Sequence, residues 1–159
     1  MYIGVSGGSD TDIRQYSLST AWDISTASYD SVKLTTTSQT NNPFGGFFNS
    51  GGTKLYVLST SPRTVFQYSV STPWDLSTAT YDSVSGSVSQ DNNPFGIFFK
   101  PDGKKMYMAG RNGNLIYQYS LTDSTAPFVT SLSPTDGATG VSTTSNLVIN
   151  FSESVDAGS

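Results

Sequence analysis

"QYSVSTPWDLSTATYDSV" spans residues 67–84, and "QYSLSTAWDISTASYDSV" spans 15–32. The copies share a Gln-Tyr-Ser opening, a Trp-Asp centre and a Tyr-Asp-Ser-Val close. Gln-Tyr-Ser returns at 118–120. Between these copies, "NNPFGGFFNSGGTKLYV" (41–57) matches "NNPFGIFFKPDGKKMYM" (92–108). Self-similarity with a period of about fifty residues marks a repeat architecture, either blades or a stacked array.

Each repeat holds four strand-sized runs separated by turn residues. "FGIFFK" lies between Pro94 and "PDG"; "KKMYMAG" and "NLIYQYSL" follow; "TATYDSVSGSV" is the fourth type. Pro101-Asp102-Gly103 suits a hairpin tip, because Pro presets φ and Gly supplies a positive φ. Ser50-Gly51-Gly52 takes that place in the earlier copy. No apolar stripe of helical period and useful length occurs, so almost no helix is expected.

Phe99-Lys100-Pro101-Asp102-Gly103-Lys104-Lys105-Met106-Tyr107 resembles the F-x-P-D-G-x-x-x-Y element of bacterial YVTN, NHL and TolB-like β-propellers. The resemblance covers about residues 1–122. It implies inner strands at 44–49 and 95–100, second strands at 54–60 and 105–110, third strands at 64–71 and 115–121, and outer strands at 28–34 and 80–88. Met1-Tyr2-Ile3 aligns with Leu55-Tyr56-Val57, so the first strand reads as a second strand. The expected fold is all-β. Propeller-like blades of four antiparallel strands form an incomplete array of about two and a half blades, part of a longer protein. Copies start near Gln15, Gln67 and Gln118. The repeated Trp22-Asp23 and Trp74-Asp75 read as packing between blades followed by an Asp-capped turn. Asp30 and Asp82 read as turn residues. Phe47 and Phe48 are expected to be largely buried on opposite faces.

After Leu121 the composition changes. Asp123, Ala126-Pro127, Pro134, Asp136-Gly137-Ala138, Gly140-Val141, Phe151, Glu153 and Val155 resemble the opening of a bacterial Ig-like domain. This divides the chain into repeats at 1–122 and an Ig-like segment at 123–159. Strands are expected at 128–132 and 146–151, the start of a truncated sandwich.

Composition narrows the chemistry. The net charge is −4, and Lys and Arg do not cluster, which argues against nucleic acid. No run is long enough to insert in a membrane, and no basic-then-apolar leader precedes the first copy. His and Cys are both absent, removing the usual general base and the soft metal ligands. No catalytic residue, metal site or cofactor is therefore assigned, and the chain is read as no enzyme. "SGGSDTD" (6–12) lacks the Gly and Glu of a calcium loop and reads as a polar loop.

The expected role is a non-catalytic binding or structural segment of a larger secreted, cell-surface or phage-tail protein. Its partners would be a glycan or protein ligand, the remaining blades and further Ig-like modules. The alternatives are a fragment of a lactonase- or lyase-like propeller enzyme with its catalytic residues on other blades, and a pure spacer. Ligand contacts are expected from Asn92, Asn93, Arg111, Asn112 and Asn114, with Asn41, Asn42 and Arg63 as counterparts. Their side chains hydrogen-bond sugar hydroxyls and backbone amides, and their loops vary more than the strands.

Overall fold

The computed structural model describes residues 1–6, 11–121 and 129–151. The chain divides into two compact units, Met1–Leu121 and Thr122–Ser159. In the first unit the described strands are β1 (Tyr2–Val5), β2 (Asp12–Leu18), β3 (Ala27–Thr35), β4 (Pro43–Phe48), β5 (Lys54–Thr60), β6 (Arg63–Val70), β7 (Ala79–Ser87), β8 (Pro94–Phe99), β9 (Lys105–Gly110) and β10 (Leu115–Ser120). They form three antiparallel sheets in orders β1-β2-β3, β4-β5-β6-β7 and β8-β9-β10. Each of the three Gln-Tyr-Ser copies lies within a strand.

Turn chemistry sets the hairpins. Between β8 and β9 the Gly103 N–H donates to Lys100 O at 2.8 Å, and Gly103 has φ 71°. Between β4 and β5 the Gly52 N–H donates to Asn49 O at 3.0 Å, and Gly52 has φ 68°. A positive φ is inexpensive only for glycine. This explains why the degenerate Asn-Ser-Gly-Gly turn still works.

The middle sheet is buried on both faces. On β5, Leu55 and Val57 join a cluster with Ile13, Phe66, Tyr68, Val70 and Leu76. Leu58 points the other way, to Val65, Val88, Phe99, Met106 and Met108. Period-2 alternation thus feeds two cores from one strand. Leu55, Val57 and Leu58 are fully buried, and each such side chain contributes about 1.5–3 kcal/mol. Phe48 packs on the first cluster and Phe47 on the second, as the alternation requires, but both are half-buried rather than largely buried. They lie on β4, whose only hydrogen-bonded strand neighbour among the described residues is β5. On β8, Phe99 is 6% exposed and Phe98 54%, because the described residues cover only one face of that sheet.

The Trp-Asp repeat behaves differently from the packing expected of it. Asp23 and Asp75 do cap turns: each side chain accepts from the N–H two residues on, opening the 3-10 turns Ile24–Thr26 and Leu76–Thr78. Neither tryptophan is in a core. Trp74 is 45% exposed and rests on Phe48; Trp22 is fully exposed. The difference lies in their neighbours, since Trp74 has the β4–β5 hairpin beside it.

Asp30 and Asp82 sit inside the outer strands β3 and β7, not in turns. A register shift opposite Gln67/Tyr68 leaves Asp82 and Ser83 as a bulge, with Ser83 at φ 59°. Ser31 repeats this at φ 59°. The bulge aims Asp82 at Gln67 Nε2 (2.8 Å), Ser69 Oγ (2.5 Å) and Lys54 Nζ (2.8 Å). Gln15 extends the motif between sheets. Its Nε2 donates to Asp30, and its Oε1 accepts the Leu76 N–H at 3.0 Å.

In the second unit β11 (Val129–Ser133) pairs antiparallel with β12 (Val148–Phe151). Gly137 and Gly140 take positive φ in the connection. Phe128, expected to open the first of these strands, lies outside the described residues, and the second begins at Val148 rather than at 146.

Candidate functional site

Two sets of connections meet at one end of the first unit: those entering β4 and β8, and those joining β5 to β6 and β9 to β10. Asp91 organises the second pair. It is 3% exposed. Its carboxylate accepts from the backbone N–H groups of Asn93 (2.7 Å), Asn112 (3.2 Å) and Gly113 (2.7 Å). Desolvation opposes the charge, but the three donors outweigh it and hold the carboxyl below its usual range. A Cβ on Gly110 would meet Asp91 Oδ2 at 2.4 Å, so the backbone can come this close only without a side chain. The Arg111 N–H donates to Asn93 O at 3.0 Å and locks the two loops together.

The preceding copy uses a hydroxyl in the same place. Thr40 is 3% exposed. Its Oγ1 accepts from Asn42 N (2.9 Å), pairs with Ser59 Oγ (2.6 Å) and donates to Ser61 O (3.1 Å). The Thr60 N–H donates to Asn42 O at 3.2 Å, matching Arg111 and Asn93.

Above these buried pins lie two phenylalanines. Pro43 pairs with Ser59 and Gly45 with Leu58, leaving Phe44 as the extra residue of a bulge. Pro94 pairs with Gly110 and Gly96 with Ala109, leaving Phe95 likewise. A bulge re-aims its side chain. Here it brings the two rings to 4.2 Å, with Phe44 38% and Phe95 45% exposed. The Arg111 guanidinium stands 5.6 Å from the Phe95 ring centre. Arg63, from β6, donates to Asn92 Oδ1. The result is an exposed aromatic pair with the Arg111 guanidinium beside it, and the Arg63–Asn92 hydrogen bond joins β6 to the connection that enters β8.

Of the residues singled out in the sequence, Arg63, Asn92, Asn93, Arg111 and Asn112 are joined in this arrangement. Asn114 is exposed and closes the 111–114 turn at φ 51°, with no side-chain hydrogen bond among the described residues. Asn41 and Asn42 are exposed beside the Thr40 pin, and their side chains do not join the cluster. Phe44, Phe95 and Asp91 were not singled out. The duplicated Pro-Phe-Gly was a signal for the first two, since glycine after an aromatic at a strand entry marks a bulge.

At the opposite end lies a cleft of about 360 Å³. Its walls are Phe47, Phe48, Tyr56, Trp74, Phe98 and Phe99, and the β8–β9 turn forms its rim. Phe47 meets Phe98 edge-on at 5.4 Å, and Tyr56 stacks on Phe99 at 4.1 Å. The Lys100–Asp102 ion pair (2.6 Å) sits on the rim. Among the described residues no group of three or more His, Cys, Asp or Glu side chains could hold a metal ion. Asp12, in the polar stretch 6–12, is buried and paired with Arg14 (3.0 Å) and Lys33 (3.2 Å), while Asp10 lies outside the described residues.

Residues 123–159 match the family model of a bacterial Ig-like domain. The comparison with curated proteins found no match, nor did the comparison with solved structures. Among the described residues no helix is long and apolar enough to cross a membrane. The C-terminal part of the chain is thus similar to a bacterial Ig-like domain, a non-enzymatic kind of module that occurs in bacterial surface proteins.

Proposed function

We propose that the chain is a non-catalytic glycan-recognition segment of a larger bacterial surface or secreted protein. In this reading the first unit is a run of propeller-like blades, and the Ig-like segment joins it to further modules. The carrying observation is the Phe44–Phe95 pair. Two exposed rings from equivalent positions of successive repeats touch, with Arg111 over one of them and the Arg63–Asn92 hydrogen bond on the connection that leads into Phe95. Aromatic faces suit the C–H faces of a sugar ring. Guanidinium and amide groups suit its hydroxyls. The loops are pinned beneath by Asp91 and Thr40, so little ordering cost remains on binding. Repetition would add avidity to weak single contacts.

The test is a glycan array probed with the whole protein, followed by titration of each hit against Phe95→Ala, Arg111→Ala and Asn92→Ala. Each variant should weaken binding, Phe95→Ala by about tenfold or more. A second reading places the ligand in the cleft, favoured by its six aromatic rings. Loss of binding in Phe98→Ala, with Phe95→Ala unchanged, would move the site there.

A further inference from the structure

Asn112-Gly113 is the one Asn-Gly pair in the chain. Such a pair is chemically labile. The glycine nitrogen, once it has lost its proton, can attack the asparagine side-chain carbon, and no side chain on the glycine stands in the way. The N–Cγ bond forms, the Cγ–Nδ2 bond breaks, and the proton leaves with the side-chain nitrogen as ammonia. Water then opens the cyclic imide at either carbonyl and leaves aspartate or isoaspartate. The reaction needs no reactant besides water, and both residues are exposed.

Close neighbours favour glycine at position 113. A Cβ there would lie 3.0 Å from Tyr117 Oη and 3.1 Å from Asp91 Oδ2, tighter than an ordinary van der Waals contact. The preceding copy avoids the chemistry. Ser61-Pro62 stands at this place, with no side-chain amide and no N–H on the proline.

Asp91 sets what the fold does to the labile pair. The Gly113 N–H, which must lose its proton, donates to Asp91 Oδ2 at 2.7 Å, and the Asn112 N–H donates to Oδ1 at 3.2 Å. A carboxylate can act on such an N–H in two opposite ways: as a base that removes the proton, or as a charge that holds it. Here the second wins. The N–H donors that hold the Asp91 carboxyl below its usual range also make it a poor base. Its negative charge, 2.7 Å from the nitrogen, opposes turning that nitrogen into an anion. Bonds to both N–H groups also fix the peptide between them against the rotation that attack requires.

We propose that Asn112-Gly113 is a latent deamidation site that Asp91 keeps unreactive in the folded chain. It reacts only when the 111–114 turn leaves that carboxylate. A new carboxylate at position 112 then stands beside Asp91 and opposes the turn's return. The chemistry does not depend on what the Phe44–Phe95 pair binds.

The test incubates the whole chain at neutral pH, folded and in urea, and reads the amide-to-acid mass change at Asn112 by peptide mass spectrometry. Asn112 should deamidate about tenfold or more slowly in the folded chain than in urea. Asp91→Thr, which copies Thr40 of the preceding repeat, should bring the folded rate towards the unfolded one and leave the rate in urea unchanged. Hydrogen exchange keeps the proposal falsifiable where that variant does not fold, because exchange at Gly113 passes through the same deprotonated nitrogen. In the parent chain, Gly113 exchange and Asn112 deamidation should rise together as urea is added below the unfolding midpoint. Equal rates in the folded and unfolded parent, an unchanged rate in a folded Asp91→Thr, or deamidation while Gly113 stays protected overturns the proposal. So does a folded rate above the unfolded one, since Asp91 is then the base that starts the reaction.

Discussion

Lys54 Nζ lies 2.8 Å from Asp82 Oδ2. The pair reaches from β5 to β7 across the intervening strand. Ser69 and Gln67 on that strand complete the carboxylate's hydrogen bonds. Desolvation opposes the charge, but these partners prevail and lower the Asp82 pKa to about 2. A carboxyl whose folded pKa is depressed adds stability above its unfolded pKa of about 3.9 and loses it as pH falls through the folded value. The Asp82 contribution should be complete at neutral pH and lost between about pH 4 and pH 2. Denaturant melts should show Asp82→Asn less stable than the parent at pH 7 by about 1–2 kcal/mol. The gap should narrow towards pH 2.

Adjacent phenylalanines should differ sharply. Phe99→Ala removes a ring that is 6% exposed and stacked on Tyr56, and should cost about 3–5 kcal/mol. Phe98→Ala removes one that is 54% exposed and should cost less than about 1 kcal/mol. Phe47→Ala and Phe48→Ala, both half-buried, should fall between. Urea midpoints of the four variants check the order.

Gly110→Ala should disturb the aromatic pair without touching it. Its new Cβ would clash with a carboxylate held by three N–H groups, which leaves Asp91 no room to yield. Destabilisation of about 1–3 kcal/mol is expected. Faster amide exchange at Asn93, Asn112 and Gly113 would show that the loops had loosened.

The tryptophans should respond oppositely to glycine. Trp22→Gly relieves a positive φ and loses no packing, so thermal stability should hold or rise by up to about 1 kcal/mol. Trp74→Gly uncovers Phe48 and the β4–β5 turn and should lower stability.

Strand positions were legible because each is bounded by residues with fixed backbone demands. Pro101-Asp102-Gly103 marks a turn whatever surrounds it, and Gly51-Gly52 does so with other side chains. The bulges were not legible. Alternation places Phe44 on the same face as Phe48, and only the skipped pairing of Pro43 with Ser59 and Gly45 with Leu58 turns it outward. Burial of repeated residues was also hidden. Phe98 and Phe47 are equivalent in the sequence, as are Trp22 and Trp74. Their exposure depends on which sheet or hairpin lies alongside, a property of neighbours rather than of the motif. Arg63, Asn92, Asn93, Arg111 and Asn112 lie on connections that flank the same turns, and such connections converge when the strands are in register. The aromatic pair beside them is hidden in the sequence for the reason given for Phe44.

Each connection into β4 and β8 leaves one sheet and opens the next, so the sequence repeat and the sheet are out of phase. The copy that begins at Gln15 finishes two strands of one sheet and starts two of another. Unequal recombination within such a gene therefore has a permitted step size. Duplicating the span 67–117 adds one whole sheet and one more interface like that between Phe47 and Phe99, and leaves every existing ladder paired. A duplication that is not a whole number of repeats strands an unmatched edge. The near-identity of the copies is the expected trace of a lineage that can lengthen or shorten only by whole repeats.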